Sequence, residues 1–134
     1  MTQDAVLVDT SIWIEYFRDS KTPAVDLFDK LLNNDQVTVC PLIFQEVLQG
    51  IRDQTEYSQT KELLESLPRL KADVYLAAIG AADIFRSLRQ QGITIRKSND
   101  CLIAWYALNA GCPVLHNDRD FDLMAKPLKL KVLR

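Results

Sequence analysis

Residues 5–8 read AVLV and run straight into Asp9-Thr10-Ser11. Four apolar residues without polar alternation are the pattern of a strand buried on both faces of a parallel sheet. The abrupt switch to Asp-Thr-Ser ends that strand and offers Thr10 or Ser11 as cap of a following helix, with Ile12, Trp13, Tyr16 and Phe17 as its apolar stripe. A carboxylate at the end of a buried strand needs a partner or a cation. Asp9 is therefore where the search for a function begins.

The same alternation continues outward. Pro23 is placed to open a second helix, with Val25, Phe28, Leu31 and Leu32 inward and Asn33-Asn34-Asp35 as its stop. Residues 37–40 read as a second strand. Pro41 then opens a helix carrying Ile43, Phe44, Val47, Leu48 and Ile51, with Glu46 among them. A further helix covers about residues 56–67, and Leu70 is expected in a brief third strand. Residues 74–91 are helical in pattern, and Ala77, Ala78, Ala81 and Ala82 are small enough to admit a close neighbour; Gly92 is the expected left-handed terminator. Ser98 is the expected cap of a helix running to Asn109, stopped by Gly111 and Pro113. Val114-Leu115 is the next strand, followed by a short helix near 121–124 and a last strand near 130–133. This order predicts an α/β fold: a three-layer α/β/α sandwich around a central, mainly parallel sheet of four to five strands, joined by right-handed crossovers in a single domain over 1–134.

Composition narrows the function. With 134 residues the chain can bury roughly two-thirds of its unfolded surface, enough for one core without staples. Sixteen basic against eighteen acidic residues, a net charge of -2, argue against a sequence-blind electrostatic coat on DNA. A nucleic acid held through cations on a carboxylate cluster is compatible with that balance. Cys40, Cys101 and Cys112 form no CxxC pair, so neither a disulfide scaffold nor a cysteine zinc site is expected. The opening MTQDAVLVDTSIW lacks the basic start of a signal peptide, and no run approaches the ~20 apolar residues of a membrane span. A cytoplasmic protein is expected.

In open parallel sheets ligands collect beyond the carboxyl ends of the strands. Asp9 and Asp118 fall there, and Asp100 and Glu46 stand on helices able to reach the same crevice. Each has an ordinary alternative: Asp100 gains from a helix dipole in a first turn, and Glu46 can face solvent. Taken together, four carboxylates in one crevice repel unless a cation stands among them, and Mg²⁺ or Mn²⁺ suits all-oxygen donors. The chain has no GxxxxGK[ST] loop, GxGxxG turn, GxSxG elbow or HExxH pair. Metal-assisted phosphodiester hydrolysis thus ranks above nucleotide, hydride-transfer or serine-hydrolase chemistry.

Four stretches carry a resemblance: VLVDTSIWIEYF at 6–17, CPLIFQEVLQG at 40–50, NDCLIAWYAL at 99–108 and VLHNDRDFDLMA at 114–125. In order and spacing the chain resembles the PIN-domain ribonucleases, specifically the VapC-type toxins of toxin–antitoxin pairs. The resemblance implies a metal site of Asp9, Glu46, Asp100 and Asp118, with Thr10 or, preferably, Ser11 positioning a carboxylate or water. Asp120 either reaches the same metal or caps the helix through Phe121. His116 stands where many relatives have Thr or Ser, and it either adds an imidazole to the site or fills the strand end. The resemblance further implies RNA as substrate, tRNA or rRNA in particular, a two-fold homodimer, and a VapB-type antitoxin. Arg18, Arg52, Arg86, Arg89, Arg96, Lys97 and Arg119 are candidates for holding the RNA backbone. An apolar groove between helices 12–19 and 42–51, lined by Trp13 and Phe44, is the expected antitoxin seat. Two rivals stand beside this reading: a noncatalytic PIN-like scaffold, and a receiver-like domain whose acidic pair and lysine would be Gln3-Asp4 and Lys126.

Overall fold

The computed structural model describes residues 4–134; Gln3 and the rest of the opening tripeptide lie outside the described residues. Four short strands, β1 (Val6–Val8), β2 (Val37–Thr38), β3 (Val114–Leu115) and β4 (Val132–Leu133), form a parallel sheet in the order β2-β1-β3-β4. Among the described residues seven helices flank it: α1 (Thr10–Phe17), α2 (Pro23–Asn33), α3 (Pro41–Gln49), α4 (Gln54–Ser66), α5 (Val74–Gln90), α6 (Asn99–Ala110) and α7 (Arg119–Leu128). This is the expected α/β/α sandwich. The strand at Leu70 is reduced to a single bridge, Val39 with Arg69, in which the Leu70 amide donates to the Val39 carbonyl at 2.8 Å. Pro68 lacks the amide donor a longer pairing needs.

Because β2 lies on one side of β1 and β3 on the other, the order reverses at β1, and the crevice beyond β1 and β3 is the switch point. The ladder continues one step past β1, where the Asp9 amide donates to the Leu115 carbonyl at 2.9 Å. Asp9 is thereby fixed at the crevice floor.

The apolar residues forecast for the core fill it. Leu7, Val8, Ile12, Phe28, Ile43, Ile103, Val114, Leu115, Phe121 and Met124 are fully buried. Pro23 and Pro41 open α2 and α3 as read, and Thr22 caps α2 by accepting from the Val25 amide at 3.1 Å. Gly92 and Gly111 both take the left-handed conformation after their helices. On α5 the close approach centres on Gly80: a Cβ there would overlap the Trp105 indole of α6.

Two local expectations change. Thr10 and Ser11 do not cap α1; Asp9 does, its carboxylate accepting from the Ser11 amide at 3.0 Å. Ser98 precedes α6 in helical conformation and makes no side-chain cap. Trp13 cannot line the expected antitoxin groove. Trp13 is fully buried, its ring 4.8 Å from Phe28 at an edge-on angle, because α1 packs on α2. Exposed apolar side chains are Ile14 on α1, Leu108 on α6 and a row on α5 of Val74, Tyr75, Leu76 and Ile79. Phe44 does line a cleft of ≈ 440 Å³, with Leu70, Val74 and Tyr106 as neighbours and Arg69 stacked 5.2 Å from its ring centre. No helix among the described residues is long and apolar enough to cross a membrane.

Trp13→Ala should cost about 3–5 kcal/mol in urea unfolding, as expected for an aromatic removed from a closed core. The half-buried Phe44→Ala should cost less than half of that, which the same measurement will separate.

Candidate metal centre

Asp9, Asp100, Asp118 and Asp120 are all buried. Asp9 and Asp118 follow β1 and β3 and serve as N-caps: Asp9 for α1, and Asp118 for α7, where its Oδ1 accepts from the Asp120 amide at 3.0 Å. Each cap rigidifies one carboxylate by spending one oxygen on a backbone amide, and the second oxygen of Asp118 meets the Lys97 ammonium. Asp100 enters from the first turn of α6. Asp120 does not cap α7; it lies in the first turn, and its Oδ2 accepts from the Lys97 amide at 3.0 Å, tying the loop before α6 to α7.

Oxygens of Asp100, Asp118 and Asp120 lie within 4.8 Å of one another. Asp9 and Glu46 stand outside that tight group but share one cleft with Asp100, lined also by Thr10, Ser11, Arg96 and Lys97. Glu46 is half-buried on α3 and held by Thr10, whose Oγ1 donates to its Oε1 at 2.8 Å. The Ser11 hydroxyl hydrogen-bonds the Asp9 carboxylate, the kind of positioning contact expected of it, and also accepts from the Asn117 amide at 3.0 Å, linking α1 to the turn after β3. Asn117 in turn donates to Glu15. His116 fills the strand end. Its Nδ1 accepts from the Asp118 amide at 3.0 Å, and burial lowers its proton affinity, so the neutral ring braces the Asp118 turn.

Charge crowding marks the site. Burial, then the neighbouring Asp9 and Asp118, push the Asp100 carboxyl up to about 8. Burial also raises Asp9, against the Ser11 hydroxyl and amide. Asp118 behaves oppositely: burial raises it, but the Lys97 ammonium and the Asp120 amide outweigh this and hold it below the usual carboxylate range. Lys97 contacts Asp118 directly and lies 4.0 Å from Asp100 Oδ2. Asp100 Oδ2 is itself buried without a hydrogen-bond partner. A buried, unpartnered oxygen among three carboxylates, with neither sulfur nor imidazole in the group, fits a hard divalent cation.

The PIN domain family model matches residues 6–127. The chain belongs to the PIN-domain family. Its relatives include ribonuclease VapC11 of Mycobacterium tuberculosis and a VapC ribonuclease of Mycobacterium bovis, each 36% identical over 128 residues, 94% of this chain and 96% of theirs. Among solved structures, VapBC-1 from nontypeable Haemophilus influenzae superposes with a TM-score of 0.71 at 21% identity, covering 96% of each chain. FitAcB from Neisseria gonorrhoeae gives 0.70 at 20% identity, again covering 96% of each. These two likenesses concern the PIN fold itself. The receiver-like alternative falls away with them, and its lysine, Lys126, is exposed in the last turn of α7.

Sequence reasoning placed Lys97 among the RNA-holding residues and missed its inward contact. The signal was present in its position three residues before Asp100, a spacing that brings two side chains to one face of a helical turn. Arg96 lines the same cleft, while Arg86 and Arg89 line an adjoining one that shares Ser98 and Asn99 with it.

The Asp100 shift sets a pH dependence for the metal-free chain. Folded, Asp100 keeps its proton to about pH 8, whereas unfolded it releases it near its ordinary value of 3.8. The native state therefore binds more protons in between, so this contribution is complete at low pH and is lost as pH climbs towards the folded value. Urea midpoints measured in chelator should fall from about pH 5 to about pH 8, and Asp100→Asn should flatten that slope.

Proposed function

We propose that this chain is a metal-dependent endoribonuclease that hydrolyses RNA phosphodiester bonds, acting as the toxin of a toxin–antitoxin pair and restrained by a cognate VapB-type antitoxin. Two lines support the ribonuclease activity: membership of the PIN family, and 36% identity over nearly the whole chain to proteins named as VapC ribonucleases. The antitoxin is inferred from VapBC pairs, among which the fold finds neighbours. The observation that carries the chemistry is the meeting of Asp100, Asp118 and Asp120 beside Asp9 at the carboxyl end of a parallel sheet.

In this reading Asp9, Asp100, Asp118, Asp120 and Glu46 form the metal site, Mg²⁺ being the natural ion and Mn²⁺ its substitute. When bound, the ion acidifies a water and offsets charge building on the phosphate. The chain's own residues do the rest. Capping contacts hold Asp9 and Asp118 in place, so no rotamer search accompanies substrate entry. Thr10 anchors Glu46 at the cleft wall, where its carboxylate would serve as an oxygen donor or base, and Ser11 keeps the α1 and β3 turns in register. Arg96 at the cleft wall supplies positive charge to the RNA backbone. A looped or single-stranded segment of tRNA or rRNA suits so narrow a crevice.

Residues 1–134 act as one PIN domain in the cytoplasm, and the exposed α5 row of Val74, Tyr75, Leu76 and Ile79 is the surface on which two copies would pair as a homodimer.

Purified, antitoxin-free protein should cleave RNA in Mg²⁺ or Mn²⁺ and stop when either is chelated. Asp9→Asn and Asp100→Asn should each lower kcat/KM more than about a hundredfold, beyond the loss typical of residues behind the metal ligands. Sequencing the ends cut from total cellular RNA checks activity and target together; absence of cuts in both metals would contradict the proposal.

A further inference from the structure

We propose that Lys97 is the resident counter-ion of the carboxylate cluster, displaced from Asp118 when a divalent cation enters and left at the cleft mouth to meet the RNA phosphate. The inference rests on the metal-dependent reading above and adds a residue that governs occupancy of its site. Three observations carry it.

The first is position. The Lys97 ammonium contacts Asp118 and stands 4.0 Å from Asp100 Oδ2, so it occupies the side of the cluster that a shared cation would need. Two positive charges cannot both use those oxygens closely, and one must yield.

The second is the difference between its backbone and its side chain. The Lys97 amide is fastened to Asp120 Oδ2 at 3.0 Å, and its carbonyl accepts from the Asp100 amide at 2.9 Å. The main chain is therefore locked by the very acids that form the cluster. The side chain is 52% exposed and has four flexible carbons, so the ammonium can leave while the loop stays. Its reach from a fixed Cα keeps it within the cleft, beside Arg96.

The third is the incomplete fit of the ammonium. With Lys97 in place, Asp100 Oδ2 remains buried and without a hydrogen-bond partner. A single ammonium neutralises Asp118 but leaves Asp100 unsatisfied, whereas a divalent ion serves both. Lys97 thus keeps the metal-free protein folded around its acids without sealing the site.

Two measurements test this. In the first, lysines of the wild-type protein are acetylated briefly with and without Mg²⁺ and quantified by mass spectrometry. Lys97 should react several-fold faster with Mg²⁺ present, while Lys61 and Lys126 keep their rates; an unchanged or slower Lys97 overturns the proposal. In the second, Mn²⁺ affinity is measured calorimetrically for wild type, Lys97→Gln and Lys97→Arg. The Gln variant should bind Mn²⁺ roughly two- to fivefold more tightly, the upper part of the range an exposed ion pair spans, with Arg nearer wild type. Unchanged or weaker binding by the Gln variant overturns the counter-ion role even if the wild type still cuts RNA in Mn²⁺. Wild-type protein that neither binds Mn²⁺ nor cuts RNA overturns the metal-dependent reading as well. At saturating Mn²⁺, Lys97→Gln should raise KM for RNA several-fold with kcat little changed; an unaltered KM removes the phosphate contact.

Discussion

Negative charge gathered in a buried crevice is the constraint around which this molecule is built. Asp9, Asp100, Asp118 and Asp120 are each buried, and three of them bring oxygens within 4.8 Å of one another. In a low-dielectric crevice such an assembly is unfavourable unless protons, amides or cations compensate it. All three kinds of compensation are present. Asp100 is held protonated to about 8, backbone amides of Ser11, Asp120 and Lys97 cap the carboxylates of Asp9, Asp118 and Asp120, and the Lys97 ammonium sits on Asp118. A fold that carries such a cost at one place, with no other buried carboxylate among the described residues, is arranged for a cation and for chemistry on a polyanion.

The sheet supplies the geometry. Parallel strands β1 and β3 end side by side, and the chain leaves each through a capped helix, so one carboxylate is delivered from each turn. Buried Asp100 comes from α6, packed on α5 through the Gly80–Trp105 approach. Glu46 comes from α3 with Thr10 as its tether. Four chain segments distant in sequence thus meet at a switch point.

Much of this was legible from residues alone. AVLV followed by Asp9 announces both a buried strand and the acid at its end, and Pro23, Pro41, Gly92 and Gly111 mark helix boundaries through backbone chemistry that needs no tertiary context. The errors lie where tertiary contacts decide. Thr10 and Ser11 are good caps in isolation, yet Asp9 takes that role and frees them to tie Glu46 and Asn117. Trp13 looks like surplus apolar bulk on a helix until α2 covers it with Phe28. Leu70 has strand character, but its segment pairs only once, and of the two roles open to Asp120 the cap belongs to Asp118. Lys97 reads as one more basic residue on a polar loop; its spacing to Asp100 signals an inward turn, and the fold sets it onto Asp118.

The central claim is that these carboxylates form one cation site. Crystals soaked in Mn²⁺ and measured at the manganese absorption edge test it most directly. The account predicts an anomalous peak bounded by the carboxylates of Asp100, Asp118 and Asp120, with Asp9 facing it. Fully soaked crystals showing no peak in that crevice, or manganese bound only elsewhere on the chain, would contradict it.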